Sequence, residues 1–273
     1  MAKINVSVIK QRVRRRFRVK DETRNFYNGA FIDLGELVMF TGKVMTQMFQ
    51  PPFEFREFVK HGYILGNKSL ALVVVTGFIM GLVLTMQMNP VLVDFGAQTL
   101  LPGIIAVSMV RELGPVITGL ICAGKLSSGI AAEVAAMAVT EQIDAMEVSG
   151  TRPLSFVVAT RVLATTLVVP VLVIFADAFS MLGAYLAVNI FEDTSITLFI
   201  HRSFSMLGFV DLLPATLKTV LFGFFIGLIG SYKGYTAGKG TESVGKAANS
   251  AVVAASLTIF VIDLVFVLIT SIL

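Results

Sequence analysis

Cysteine, histidine and charge are all scarce in this chain, and each shortage removes a class of function. Cys122 is the only cysteine in 273 residues and lies inside an apolar stretch, so no intramolecular disulfide can form and the thiol is read as a small core hydrophobe. The two histidines, His61 and His201, stand far apart with no ligand spacing around them, so no metal centre is expected. Charged residues are 15% of the chain, against about a quarter in soluble domains. No stretch after residue 68 is hydrophilic enough to fold as a separate soluble domain, so any enzymatic domain must reside on another polypeptide. No GxSxG, HExxH or paired-carboxylate arrangement on a soluble scaffold occurs either, and the chain is read as a non-enzyme with no cofactor of its own.

What the chain does have is apolar sequence: 55% hydrophobic residues and a mean hydropathy of +0.82. That composition predicts an all-α, polytopic integral membrane protein. Residues 1–24 carry nine basic residues, among them Lys10 and Arg14 to Arg16, against Asp21 and Glu22. Beside membrane spans such a tail is an anchor for anionic headgroups rather than a nucleic-acid arm, and no cleavable signal peptide is expected. From Phe26 to Phe49 apolar residues recur at Phe31, Leu34, Val38, Met45 and Phe49, interrupted by Asp33, Glu36 and Lys43, which favours a helix lying in the interface. Pro51-Pro52 breaks it, and Phe53 to Gly66 reads as a second short amphipathic piece.

Five spans follow in a transmembrane unit, 69–273, distinct from the N-terminal segment 1–68. The first is Ser69 to Met88, with the close-packing pattern Gly77-x-x-x-Gly81. The second runs from about Thr99 to Lys125. The third lies within Leu154 to Phe191, too long for one perpendicular crossing, and is expected to begin near Arg161 and to kink or break near Pro170. The fourth is about Leu212 to Tyr232 and the fifth about Val252 to Ile272. Basic residues concentrate before the first span and in the loop after the fourth (Lys233, Lys239, Lys246), which predicts a cytoplasmic N-terminus and a periplasmic C-terminus. No internal repeat is evident, unlike many two-halved secondary transporters. Gly119-x-x-x-x-Gly124-Lys125 imitates a phosphate-binding loop, but Leu126 replaces the Ser or Thr that holds magnesium and no strand precedes it.

Between the second and third spans, Ile130 to Val148 reads as one helix, rich in Ala and stopped by Gly150 and Pro153. Val134, Met137 and Ala138 share one side, and Glu141, Asp144 and Glu147 step along another. A short helix with a greasy face and an acidic end, held between two spans on the basic side, suits the docking of a soluble partner.

The run Arg111 to Val116 (RELGPV), then Ala123-Gly124-Lys125 with Ser127-Ser128-Gly129, then Ala131 to Pro153, resembles the signature of the MlaE (YrbE) family, permease subunits of ABC transporters that move lipids across the bacterial envelope. Lys125 stands where that family often has Arg. The resemblance implies a homodimer in the bacterial inner membrane, served by a separate ABC ATPase that carries ATP and magnesium. It implies a phospholipid cargo, an MCE-protein ring outside and, in some members, a STAS-domain regulator. Segment 130–148 would be the coupling helix, with Glu133, Glu141, Asp144 and Glu147 as candidate ATPase contacts.

Four charges interrupt the spans: Arg111, Glu112, Lys218 and Asp263. Each unpaired would cost at least about 2.5 kcal/mol, so pairing between helices is expected, with Lys218 compensating Glu112 or Asp263. In MlaE relatives the positions matching Glu112, Lys218 and Asp263 are polar intramembrane residues linked to function. The lipid cavity is expected between the first, second and fifth spans, with Gln87 near its outer mouth, Leu113 deeper, and Val73 facing bulk lipid. Two rival readings remain: a proton-coupled secondary transporter relaying charge through Glu112, Lys218 and Asp263, and a non-transporting scaffold of an envelope complex.

Overall fold

In lipid a backbone must satisfy its own hydrogen bonds, so long apolar runs can only become helices unless they close a barrel. The computed structural model describes residues 26–48, 54–238 and 240–272, and among these there is no strand. The helices are α1 (Phe26–Met48), α2 (Phe55–Asp94), α3 (Gln98–Val139), α4 (Gln142–Val148), α5 (Leu154–Phe191), α6 (Ile196–Met206), α7 (Phe209–Tyr235) and α8 (Glu242–Ile272). Of these, α2, α3, α5, α7 and α8 are the five long and apolar enough to cross a membrane. The protein is an all-α polytopic membrane protein. The basic segment 1–24, the Pro51-Pro52 break and Lys239 lie outside the described residues.

Several expected boundaries move, because hydrogen bonding does not stop where hydrophobicity does. The short piece 53–66 and the first span are one 40-residue helix, α2, roughly 60 Å long at 1.5 Å per residue. Nothing between Gly66 and Ser69 breaks it, and Gly66 packs against the Val168 side chain. The expected outer loop also shrinks. Helix α2 continues through Pro90 and ends in a Schellman motif, with Gly96 at φ 64° and Ala97 N–H donating to Leu92 C=O at 2.8 Å. Helix α5 runs unbroken through Pro170. Helix α8 begins ten residues before its apolar run, at Glu242, whose carboxylate pairs with Lys246 at 2.7 Å. His201 and Arg202, expected in a loop, belong to α6, which is capped by the Ser195 hydroxyl accepting from Leu198 N–H.

The segment expected as one helix over 130–148 is two. Residues 128–139 are the end of α3 itself, and the chain turns at Glu141, the sole non-glycine residue at positive φ (63°) among those described. Helix propensity is a weak prior here, because Ile143 must fold back onto Ile130, Val134 and Val157, and a straight helix would carry it away. The expected stop does occur: Gly150, at φ 82°, closes α4 in a second Schellman motif, with Thr151 N–H donating to Met146 C=O at 3.0 Å.

Three wide π turns, absent from any sequence expectation, interrupt the helices at Met109–Leu113, Ala123–Ser127 and Leu154–Ala159. The first precedes Pro115, whose ring would otherwise press on the carbonyl four residues back. Helices α2 and α5 form the most extensive pair in the bundle. Gly77 lies against the Ala176 main chain, Gly81 against Ser180, and Gly183 of α5 against Phe78, so backbones touch where side chains would ordinarily separate them. Phe222 and Ile226 of α7 fill the centre with Cys122, Leu126 and Leu172.

Helix α1 packs Phe40, Val44 and Met48 on Val158, Leu228 and Tyr232, and Tyr232 Oη donates to Glu36 at 3.1 Å. Val38 and Met45, expected on its apolar face, point outward instead. Between Gly35 and Met48 the helix carries apolar residues on two sides, and of these Phe40, Val44 and Met48 meet the bundle while Val38, Met39 and Met45 do not.

Candidate functional site

The first π turn re-aims two adjacent side chains of α3, Arg111 and Glu112, toward α7 and α8. Lys218 of α7, only 2% exposed, donates to Glu112 Oε2 at 2.7 Å and to Asp263 Oδ1 of α8 at 2.9 Å. The expected choice between Glu112 and Asp263 as the partner is therefore no choice, because one ammonium holds both. On the other flank Arg111 lies 3.5 Å from Asp211 Oδ1 and 3.7 Å from Glu112 Oε1. Asp211 also accepts the Gly208 N–H at 3.1 Å, which ties the start of α7 to the cluster.

The result is a five-membered chain, Asp211, Arg111, Glu112, Lys218, Asp263, with three acids on two bases. It borders a cleft that Pro214, Ala215 and Phe266 also line. Lys218 sits nine residues into α7, roughly 14 Å along its axis. At that depth charges persist only when paired or wetted, and Glu112 is paired on one side while its side chain stays 34% exposed toward the cleft. Such a cluster can hold a cationic or zwitterionic group, or rearrange as the helices move.

Two acids lie outside the predicted set. Asp211 stands just before the expected start of the fourth span, yet an acid three residues beyond a glycine is a usable signal for a helix start. Asp177 interrupts the apolar run of α5; its Oδ1 is buried with no hydrogen-bond partner among the described residues and lies where a Cβ on Gly114 would stand. A lone carboxylate inside thirty-eight residues of span was there to be noticed.

The candidate lipid positions separate. Leu113 lines a second cleft with Val73, Gly77, Met80, Met109 and Ala176, so its walls come from α2, α3 and α5. Gln87 is exposed near the C-terminal end of α2 and lines neither cleft. Val73, expected to face bulk lipid, is 1% exposed and belongs to the same cleft as Leu113. A photo-reactive residue at Leu113 should therefore capture phospholipid from a native membrane, with the exposed Val75 rather than Val73 as the lipid-facing control. Equal capture at both positions, measured by mass spectrometry of the adducts, would remove Leu113 from any specific lipid path.

On the opposite end, Glu141, Asp144 and Glu147 are exposed around the α3–α4 turn, and Tyr235 Oη donates to Glu147 at 3.5 Å. Glu133 is engaged differently, bonded at 2.7 Å to Arg161 of α5. Residues 119–125, the imitation of a phosphate loop, are helical throughout, so their N–H groups point along the helix and cannot cradle a phosphate.

Residues 58–269, which span all five crossing helices, match the family described as Permease MlaE. The chain belongs to the MlaE permease family. A probable ABC transporter permease protein of Rickettsia prowazekii is 35% identical over 229 residues, 84% of this chain and 88% of that protein. A probable ABC transporter permease protein of Synechocystis is 31% identical over 221 residues, covering 81% and 84%. The intermembrane phospholipid transport system permease protein MlaE of Haemophilus influenzae is 34% identical over 208 residues, covering 76% and 80%. The MlaE match takes in the charged chain, both clefts and the α3–α4 turn, and leaves α1 outside it.

Proposed function

We propose that this chain is the transmembrane permease subunit of an ABC transporter that moves phospholipid between the inner membrane and an MCE-protein ring. The observation that carries the reading is the family match across all five spans, supported by a chain of five paired charges within the spans, centred on the buried Lys218. Two copies would enclose the cargo's acyl chains, and two copies of a separate ATPase would supply ATP and magnesium. The α3–α4 turn is the surface offered to that ATPase, because its acids are exposed while Ile143 beneath them is locked to the bundle. A STAS-domain regulator would act on the ATPase and not on this chain.

The deciding experiment is reconstitution of the permease with its ATPase in vesicles holding labelled phospholipid. Lipid transfer should require ATP; transfer sustained by a proton gradient alone would make the protein a secondary transporter. An intact, ATP-hydrolysing complex that transfers nothing would make it a scaffold.

Reversing Glu141 and Asp144 together to Lys should reduce ATPase co-purification by about tenfold or more while leaving the permease inserted, since exposed charges contribute little to folding but govern docking. Undiminished co-purification would exclude this turn as the docking surface. Orientation follows the positive charge: with Cys122→Ala as background, a membrane-impermeant thiol reagent should label Ser271→Cys from outside and spare Lys10→Cys. Labelling of both from one side would add a sixth crossing.

A further inference from the structure

The contact between Glu133 and Arg161 joins two helices across 28 residues of chain, and its two partners are unlike in freedom. Arg161 is 4% exposed at the inner end of α5; one of its terminal nitrogens donates to Val157 C=O at 2.7 Å, and its Nε–H has no partner among the described residues. Gly227 of α7 packs against the α5 main chain at Arg161 and Val162, so a third helix abuts this end of α5. Glu133 stands on the last two turns of α3 with its side chain 54% exposed, and a modest rotamer change would take it into solvent. His61 of α2 lies within electrostatic reach of both groups, which brings a third helix to the same point. The acid can leave; the base cannot.

The family resemblance implies Glu133, with Glu141, Asp144 and Glu147, as a contact for the ATPase. Its bond to Arg161 turns it inward, to the base of the hairpin whose tip carries Glu141 and Asp144. We propose that Glu133 and Arg161 are positioning residues, an internal latch through which movement of the α3–α4 turn is imposed on α5. The inference rests on the permease reading given above. While the latch is closed, displacement of the turn pulls the third span with it. Were Glu133 drawn away, Arg161 would be left buried with a second unanswered donor, so the closed arrangement is strongly favoured and the two helix ends move as one body. Apolar contacts of Ile130 and Val134 with Val157 hold the same helices together, but they are not directional and tolerate sliding.

The test uses the complete complex with its ATPase in phospholipid vesicles and reads two quantities: lipid transferred per ATP hydrolysed, and ATPase retained on purification. Glu133→Gln, which keeps shape and removes charge, should leave ATPase retention and the hydrolysis rate within about twofold of wild type while lipid per ATP falls about tenfold. Arg161→Lys, still cationic and able to reach Glu133, should recover a substantial part of that ratio, whereas Arg161→Met should not. Loss of ATPase binding in Glu133→Gln would make Glu133 a docking residue and overturn the latch. An unchanged lipid-to-ATP ratio would overturn it as well. Spin labels at Met137 and Leu167 give a readout that does not need lipid transfer: ATP should change the position of both relative to α8 together in wild type, and of Met137 alone in Glu133→Gln. Coordinated movement in both proteins sinks the latch, and absence of lipid transfer by the wild type sinks the permease reading instead.

Discussion

Lys218→Ala should abolish ATP-driven lipid transfer and lower stability by roughly 3–5 kcal/mol, the range found when one partner of a buried ion pair is removed. The ammonium it deletes is bonded to two carboxylates, so Glu112 and Asp263 are left facing each other across the gap. A single compensating change cannot repair this. Lys218→Ala with Glu112→Ala leaves Asp263 without its cation, and Lys218→Ala with Asp263→Ala leaves Glu112 held only by Arg111 at 3.7 Å. Lys218→Ala combined with both Glu112→Gln and Asp263→Asn removes the charges as a set, and should return the thermal midpoint most of the way to wild type. Transfer should stay absent in that triple variant if the charges act in the transport cycle. Recovery of transfer there would reduce the cluster to a structural joint.

Gly81→Val should prevent correct folding. A Cβ at this position would stand 2.6 Å from the carbonyl carbon and 2.8 Å from the Cα of Ser180, and these are main-chain atoms that cannot rotate aside. Helices α2 and α5 would have to part along a seam that Gly77 and Gly183 also keep narrow. Overpacking of this kind costs about 3 kcal/mol or more when backbone must move. The readout is the monodisperse yield in mild detergent, with Gly245→Ala as control, since a Cβ at Gly245 meets nothing within 4 Å. Near-normal yield of Gly81→Val would mean that the α2–α5 seam is looser than the packing implies.

Much of this architecture was legible because the bilayer is a strict solvent. Runs of about twenty apolar residues have one stable conformation there, and the five spans emerged in order. The Gly77-x-x-x-Gly81 pattern announced a close helix contact, though not that α5 would supply the other side. Lys218, Glu112 and Asp263 declared themselves by being charged in apolar sequence. What stayed hidden depends on contacts distant along the chain. Ala-rich sequence through Glu141 argues for a continuous helix, and only the pull of Ile143 toward Val157 explains the turn. Glu133 looked like its acidic neighbours until Arg161 was beside it. The π turns had no compositional mark at all, because one surplus residue in a helix looks the same as any other.

That surplus residue matters for angle. In an α-helix each residue advances about 100° around the axis, so a π turn, which takes up one extra residue in its loop, resets by about that amount the bearing of everything beyond it. The turn at Ala123–Ser127 lies between Glu112 and Glu133 on one helix, and it decouples the compass direction of the acid within the span from that of the acid near the helix's C-terminal end. Helix length is dictated by the thickness of the membrane and cannot be tuned freely, whereas azimuth can be, one insertion at a time. Were the same residues wound as plain α-helix through Ala123–Ser127, Glu133 would point about 100° away from Arg161 while Glu112 kept its hold on Lys218.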